Sequence, residues 1–98
     1  MKIVAYIKRT EDKRGHYKTI DNSLESLQAY VGGYIEAVSI GHGVTVICNE
    51  DGRLIGLPYN CTINGVDFFG NVALVGTEGG EFVEFPIEAD IVADNFTA

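Results

Sequence analysis

Residues 21–36 read DNSLESLQAYVGGYIE and carry the clearest helix signal in a chain otherwise patterned as strands. This stretch therefore indicates an α+β fold. Asn22 can cap the free N–H groups at a helix start, and Glu25, three residues later, completes a capping box. The apolar residues of the stretch recur at helical spacing: Leu24, Leu27, Tyr30 and Val31. Gly32-Gly33 can adopt the left-handed conformation that ends a helix. We therefore predict a short helix over residues 23–31.

Strand-like segments flank this helix on both sides. Residues 2–7 and 16–20 are rich in β-branched residues, and the polar residues between them predict a hairpin. After the helix, strand patterns cover residues 34–40, 44–48, 53–57, 66–69, 71–75 and 81–85. Residues 60–65 are interpreted as a loop or a helical turn. Pro86 suits the first turn of a final helix, with Ile87 and Ile91 on its inner face.

These elements predict one α+β domain over residues 1–98. We expect an antiparallel or mixed β-sheet, with one short helix after the first hairpin and a C-terminal helix. The alternation of strand and helix that a doubly wound fold requires is not present in the pattern. A chain of 98 residues can bury one core without disulfides or a metal.

Cysteine usage and hydropathy predict the compartment. The chain has two cysteines, Cys48 and Cys61, and no apolar stretch typical of a signal peptide. Its apolar runs are far shorter than the ~20 residues that a membrane-spanning helix needs. We therefore expect two reduced thiols, no membrane association and a cytoplasmic location, in a bacterial host.

The charge distribution is strongly uneven. The net charge is -7, yet six of the seven basic residues lie within residues 1–18, where two acids leave a balance of +4. Residues 19–98 contain Arg53 alone against twelve acids, a balance of -11. General nucleic-acid binding draws on clustered positive charge, so the overall balance argues against direct nucleic-acid binding.

The basic N-terminal segment is the first candidate binding site. Its candidate residues are Lys8, Arg9, Lys13, Arg14, His16, Tyr17 and Lys18. Arginine can hold a phosphate and a tyrosine ring can stack on a base, so the segment could bind a nucleotide or a protein partner. The alternative is a solvated hairpin that pairs with the acidic body of its own or a neighbouring copy.

A polar loop around Pro58 is the second candidate. Its residues are Asn49, Tyr59 and Asn60. The alternative is that the two asparagines only form turns, as asparagine commonly does.

We expect no catalytic residues, no metal site and no cofactor. A thiol nucleophile would need Cys48 or Cys61 beside His16 or His42, but Cys48 lies in an apolar segment typical of buried cysteine. The cysteines and histidines lack the paired spacing of a zinc site. Glu50-Asp51 is explained by a turn, and we expect Glu84 and Glu88 to face solvent.

Three segments resemble one protein family. Residues 21–28, followed by 31–36, resemble the signature of the domain-of-unknown-function 3846 family, and so do residues 47–52 running into 56–58 and Asn60. Residues 70–75 are similar to that family's last core strand. The resemblance covers roughly residues 1–85 and implies an origin in phages, plasmids or integrated elements. It implies no activity, and the basic first hairpin and the short segment after Asn60 depart from the family pattern.

The sequence thus predicts a non-enzymatic binding protein of a phage or mobile element, acting in counter-defence. It would block a host defence protein or sequester a small nucleotide signal, and we expect a homo-oligomer. One alternative is an acidic mimic of nucleic acid that occupies a DNA-binding protein. A second alternative is a small nucleotide-processing enzyme.

Overall fold

The computed structural model describes residues 1–86 and the backbone of residues 96 and 97. The C-terminal helix expected from Pro86 onwards lies outside the described residues. The strands are β1 (Lys2–Lys8), β2 (His16–Asp21), β3 (Ile35–Gly41), β4 (Val44–Asn49), β5 (Tyr59–Ile63), β6 (Val66–Phe69), β7 (Val72–Glu78), β8 (Glu81–Val83) and β9 (Phe96–Thr97). The helix α1 spans Leu24–Val31. No helix of the described residues is long and apolar enough to cross a bilayer.

These strands form two antiparallel sheets. The larger sheet has six strands in the order β2-β1-β7-β4-β3, with β8 paired to β7. The smaller sheet has the order β6-β5-β9. The expectation of an antiparallel sheet with a short helix after the first hairpin is therefore confirmed.

The large sheet lies between two apolar layers. On one face, α1 packs Leu27 and Val31 against alternate residues of β1 and β7 such as Ile3 and Ala73. On the other face, the small sheet packs against the remaining alternate residues: Val44, Val46, Val72 and Leu74 contact Cys61, Ile63 and Phe68. The two-residue period of the strands thus sends side chains into both layers.

The helix begins one residue later than its sequence pattern predicts. The hydroxyl of Ser23 accepts the N–H of Ser26 at 3.2 Å, so Ser23 is the N-cap and the prediction of Asn22 is wrong. The Asn22 amide instead donates to the carbonyl of Phe82 at 3.0 Å. Gly32, with φ of 80°, ends the helix as expected.

Two other predictions near the polar loop are wrong. Residues 53–57 form successive turns instead of a strand, because the N–H of Ile55 bonds back to the carbonyl of Asp51 at 2.9 Å. Residues 59–63 form strand β5 instead of a loop. Asn64 and Gly65, both at positive φ, supply the tight turn from β5 to β6.

Candidate functional site

The candidate residues of the basic segment do not form one surface. Lys8 is 3% exposed, and its ammonium group donates to the side-chain oxygen of Asn60 at 3.1 Å. Its side chain therefore belongs to the interior between the two sheets, and its contacts explain it as a structural residue. The expectation that Lys8 lies on the basic surface is wrong.

Arg9 lies at the start of the turn between β1 and β2, and local acids offset its charge. Its guanidinium group donates to Asp12 at 3.3 Å and lies 3.5 Å from a carboxylate oxygen of Glu11. The backbone N–H of Arg9 also bonds to Asp12, and these two contacts hold the pKa of Asp12 below its usual value. Lys13 and Arg14 are exposed in the same turn and form no ion pair within residues 1–86.

The register of β2 on β1 separates the other candidates. His16 is opposite Ile7 and Lys18 is opposite Ala5, so both point to the face that carries α1. Tyr17 is opposite Tyr6, and its ring lies against Tyr6 on the other face of the sheet, with centroids 5.1 Å apart. A base stacked on Tyr17 would therefore lie on the wrong face for contact with His16 and Lys18.

A groove lies between β2 and α1, on the face where His16 and Lys18 point. Its volume is about 460 Å³, within the ~300–1,000 Å³ that is usual for ligand sites. Basic groups come from Arg9, His16 and Lys18. An apolar floor comes from Ile7, Ile20 and Leu27. The polar residues Thr19, Asp21, Ser26 and Tyr30 complete the lining. We refer to this site as the β2–α1 groove.

The charges of the β2–α1 groove change sign along its length. His16 opens β2 beside the basic turn, and Asp21 ends it. The hydroxyls of Ser23 and Ser26 both donate to Asp21 at 3.1 Å and lower the pKa of its carboxyl group. The groove therefore has a cationic end for an anion and a carboxylate end that can accept hydrogen bonds.

Tyr30 lines the groove and is also hydrogen-bonded to the buried strand β7. Its hydroxyl donates to the carbonyl of Val72 at 2.8 Å, and burial raises the pKa of its phenol. The hydroxyl thus stays protonated at neutral pH and can accept one further hydrogen bond from a ligand. The helical stripe that contains Tyr30 and Leu27 indicated a core face, so no sequence pattern pointed to a binding role for either residue.

The two asparagines of the polar loop make their contacts within the fold. Asn49 is buried and donates to the carbonyl of Val31 at 3.1 Å, at the end of α1. Asn60 is buried and donates to the carbonyls of Lys8 and Gly70 at 2.8 and 2.9 Å. Tyr59 is half exposed and bonds to Thr62 on its own strand. The contacts explain both asparagines as structural residues.

Both cysteines are buried free thiols. Burial raises the pKa of Cys48 and of Cys61 to about 11. A nucleophile needs the thiolate form, so this environment disfavours attack by either sulfur at neutral pH. Within residues 1–86 no three His, Cys, Asp or Glu side chains are grouped as metal ligands.

A comparison with protein-family models identifies the family. The model described as Domain of unknown function (DUF3846) matches residues 1–97. The chain therefore belongs to this family, as residues 21–36 and 47–60 indicated. Comparisons with curated proteins and with solved structures found no match.

Proposed function

We propose that this protein is a non-enzymatic binding protein of a phage or mobile element that sequesters a small nucleotide in the β2–α1 groove. Its role would be counter-defence in the cytoplasm of the bacterial host. One observation carries the proposal: a groove of about 460 Å³ combines three basic side chains, an apolar floor and a carboxylate. A nucleotide presents the same three chemistries, which are an anion, an apolar ring and hydrogen-bond donors.

The groove suggests how the ligand would lie. The phosphate would bind at the cationic end between His16 and Lys18, where Lys18 forms no ion pair with any residue in 1–86. The base or ribose would cover Ile20 and Leu27. A hydroxyl or amino group would donate to Oδ1 of Asp21, which lies 3.5 Å from the N-terminal ammonium group, while Oδ2 accepts from Ser23 and Ser26.

Arg9 would contribute less than its charge suggests. Its guanidinium is already bonded to Asp12 and lies beside Glu11. The net attraction for a phosphate therefore depends mainly on Lys18 and His16, and binding should weaken as salt rises.

A calorimetric titration with cyclic nucleotides, cyclic dinucleotides and ADP-ribose derivatives tests the proposal. We expect one of these ligands to bind, and Lys18→Ala to weaken binding at least tenfold. Arg53→Ala is the matched control, because it removes one exposed positive charge from the turn at residues 53–57, which does not line the groove. Absence of heat with every ligand, or equal weakening by both variants, would contradict the proposal.

A protein that sequesters its ligand releases it unchanged, whereas the enzyme alternative requires that the ligand be converted. The bound ligand should be recovered intact by chromatography after prolonged incubation with the protein. Conversion of the ligand, lost on changing Cys61 or His42, would support the enzyme alternative instead.

One observation favours a second candidate, the acidic mimic of nucleic acid. The turn between β7 and β8 lies at the end of the sheet opposite the basic turn, and Glu78 is directly opposite Glu81 there. Two unneutralised carboxylates at a hairpin end resemble adjacent phosphates in charge. Binding to basic DNA-binding proteins that disappears at moderate salt and on Glu78→Lys would support this candidate.

A further inference from the structure

Strand β3 is an outer edge of the large sheet. Among the described residues it pairs only with β4. The N–H of Glu50 bonds to the carbonyl of Tyr34 at 2.9 Å, which sets the phase of the ladder. In an antiparallel pair, residues that are hydrogen-bonded to the neighbouring strand alternate with residues that are not. The backbone N–H and C=O groups of Ile35, Ala37 and Ser39 therefore point away from β4.

One end of this edge is already covered. The pairing shifts between Ser39 and Gly41, and the amide of Asn64 donates to the carbonyl of Ile40 at 2.8 Å. Among residues 1–86, the open part of the edge is therefore Ile35–Ser39. This open segment of five residues is as long as an ordinary β-strand.

The two edges of the large sheet differ in their protection against further pairing. Natural sheets protect open edges with charges, prolines and bulges. Edge strand β2 carries one acidic and two basic side chains, which are Asp21, His16 and Lys18. The open part of β3 carries one acidic side chain, Glu36, beside small or apolar residues. Edge β3 is therefore the better template for another strand.

We propose that β3 pairs antiparallel with β3 of a second copy of this chain, about a two-fold axis at Ala37. This register places Ala37 opposite Ala37 of the other copy and Ile35 opposite Ser39. It also places Glu36 opposite Val38, so the two glutamates never lie directly opposite each other. Each copy carries a net charge of -7. Within the paired segments the two Glu36 side chains are diagonal neighbours about 7–8 Å apart, which repel less than a directly opposed pair.

The occupant is a second copy because the register is self-complementary. An isologous two-fold contact needs one surface to match itself, and the central Ala37 is small enough to face its own copy. The exposed ring of Tyr34, with 71% of its surface accessible, would then lie beside the end of the partner's β3. The result is one continuous sheet of twelve strands.

This interface is independent of the proposed ligand site. The β2–α1 groove lies at the opposite edge of the sheet, so a dimer would leave both grooves open. Failure of ligand binding and failure of dimer formation are therefore separate results.

Sedimentation equilibrium tests the proposal. We expect twice the chain mass of 10.6 kDa for the natural protein, and the mass of one chain for Ala37→Lys, which places two lysines face to face at the axis. Thr19→Lys adds the same charge to the exposed edge β2 and should leave the dimer intact. A single-chain mass for the natural protein up to about millimolar concentration would overturn the proposal. Dissociation by Thr19→Lys, or none by Ala37→Lys, would do the same.

Amide hydrogen exchange of the natural protein gives a second readout that does not depend on how the variants fold. In the dimer the N–H of Ala37 is bonded to the other copy, so it should exchange slowly at high concentration and faster on dilution. Fast exchange of Ala37 at every concentration would contradict the β3 interface.

Discussion

At the level of single residues, Lys8 and Asn60 are a buried polar pair whose members lie 52 residues apart in the chain. In the fold the two side chains bond to each other at 3.1 Å between the sheets, at sites that are 3% exposed. Only the pairing of distant strands brings them together, and no local pattern encodes it.

Asn60 should therefore be a major contributor to stability. Asn60→Ala would leave the buried ammonium group of Lys8 with only the backbone carbonyl of residue 60, at 3.4 Å, and would remove the donor to the carbonyls of Lys8 and Gly70. We expect a loss of about 2–4 kcal/mol in the free energy of unfolding, measured by urea denaturation. Asn22→Ala removes only one partly buried bond and should cost about 1 kcal/mol or less. Equal losses for the two variants would contradict this role.

The buried thiols predict a pH dependence. Burial raises the pKa of Cys48 and Cys61 from 9.0 to about 11, so the folded protein keeps these protons more tightly than the unfolded chain. This contribution is fully present below pH 9 and is lost as pH rises towards 11. The free energy of unfolding, measured by urea at a series of pH values, should fall over this window. The fall should be smaller in a Cys48→Ala, Cys61→Ala double variant, and an unchanged pH dependence in that variant would disagree with the assignment.

At the scale of elements, local signals predicted the helix and most strands correctly. Gly32-Gly33 ends α1 because glycine tolerates positive φ, and the alternation of residues 2–7 matches β1. The errors cluster in residues 53–63. There the pattern predicted a strand over residues 53–57, whereas the N–H of Ile55 bonds to the carbonyl of Asp51 and forms a helical turn.

The helix start offers a test of the corrected cap. Ser23→Ala removes the hydroxyl that accepts the N–H of Ser26 and donates to Asp21. We expect a loss of about 1 kcal/mol in the free energy of unfolding and reduced helix content by circular dichroism. Ser23→Thr should preserve the cap function, because its hydroxyl can accept the N–H of Ser26 and still donate to Asp21. A Ser23→Ala variant as stable as the natural protein would show that the cap contributes little.

At the scale of the whole molecule, charge is separated along the strands of the large sheet. The turn between β1 and β2 carries Lys13 and Arg14, and the opposite end carries Glu78 facing Glu81. The sequence showed the uneven charge, but the topology was needed to place the two groups at opposite ends. The same topology divides the basic candidates between two faces, so the groove could not be predicted from their spacing.

This charge distribution predicts the response to salt. The excess negative charges, at a net charge of -7, repel one another in the folded state, and so do the opposed carboxylates of Glu78 and Glu81. Salt screens this repulsion. The melting temperature should therefore rise from 20 to 300 mM NaCl. Glu81→Lys should raise the melting temperature at low salt by a few degrees and reduce the salt effect. A melting temperature that falls with salt would contradict this balance.

NMR mapping of a bound nucleotide tests whether the β2–α1 groove is the binding site. A ligand found by calorimetry should shift the amide signals of β2 and α1, above all Lys18, Ile20, Ser26, Leu27 and Tyr30. The amides of the distant turn at residues 53–57 should stay unchanged. Shifts confined to that turn or to the hairpin of β7 and β8, with none at Lys18 and Leu27, would contradict the groove as the binding site.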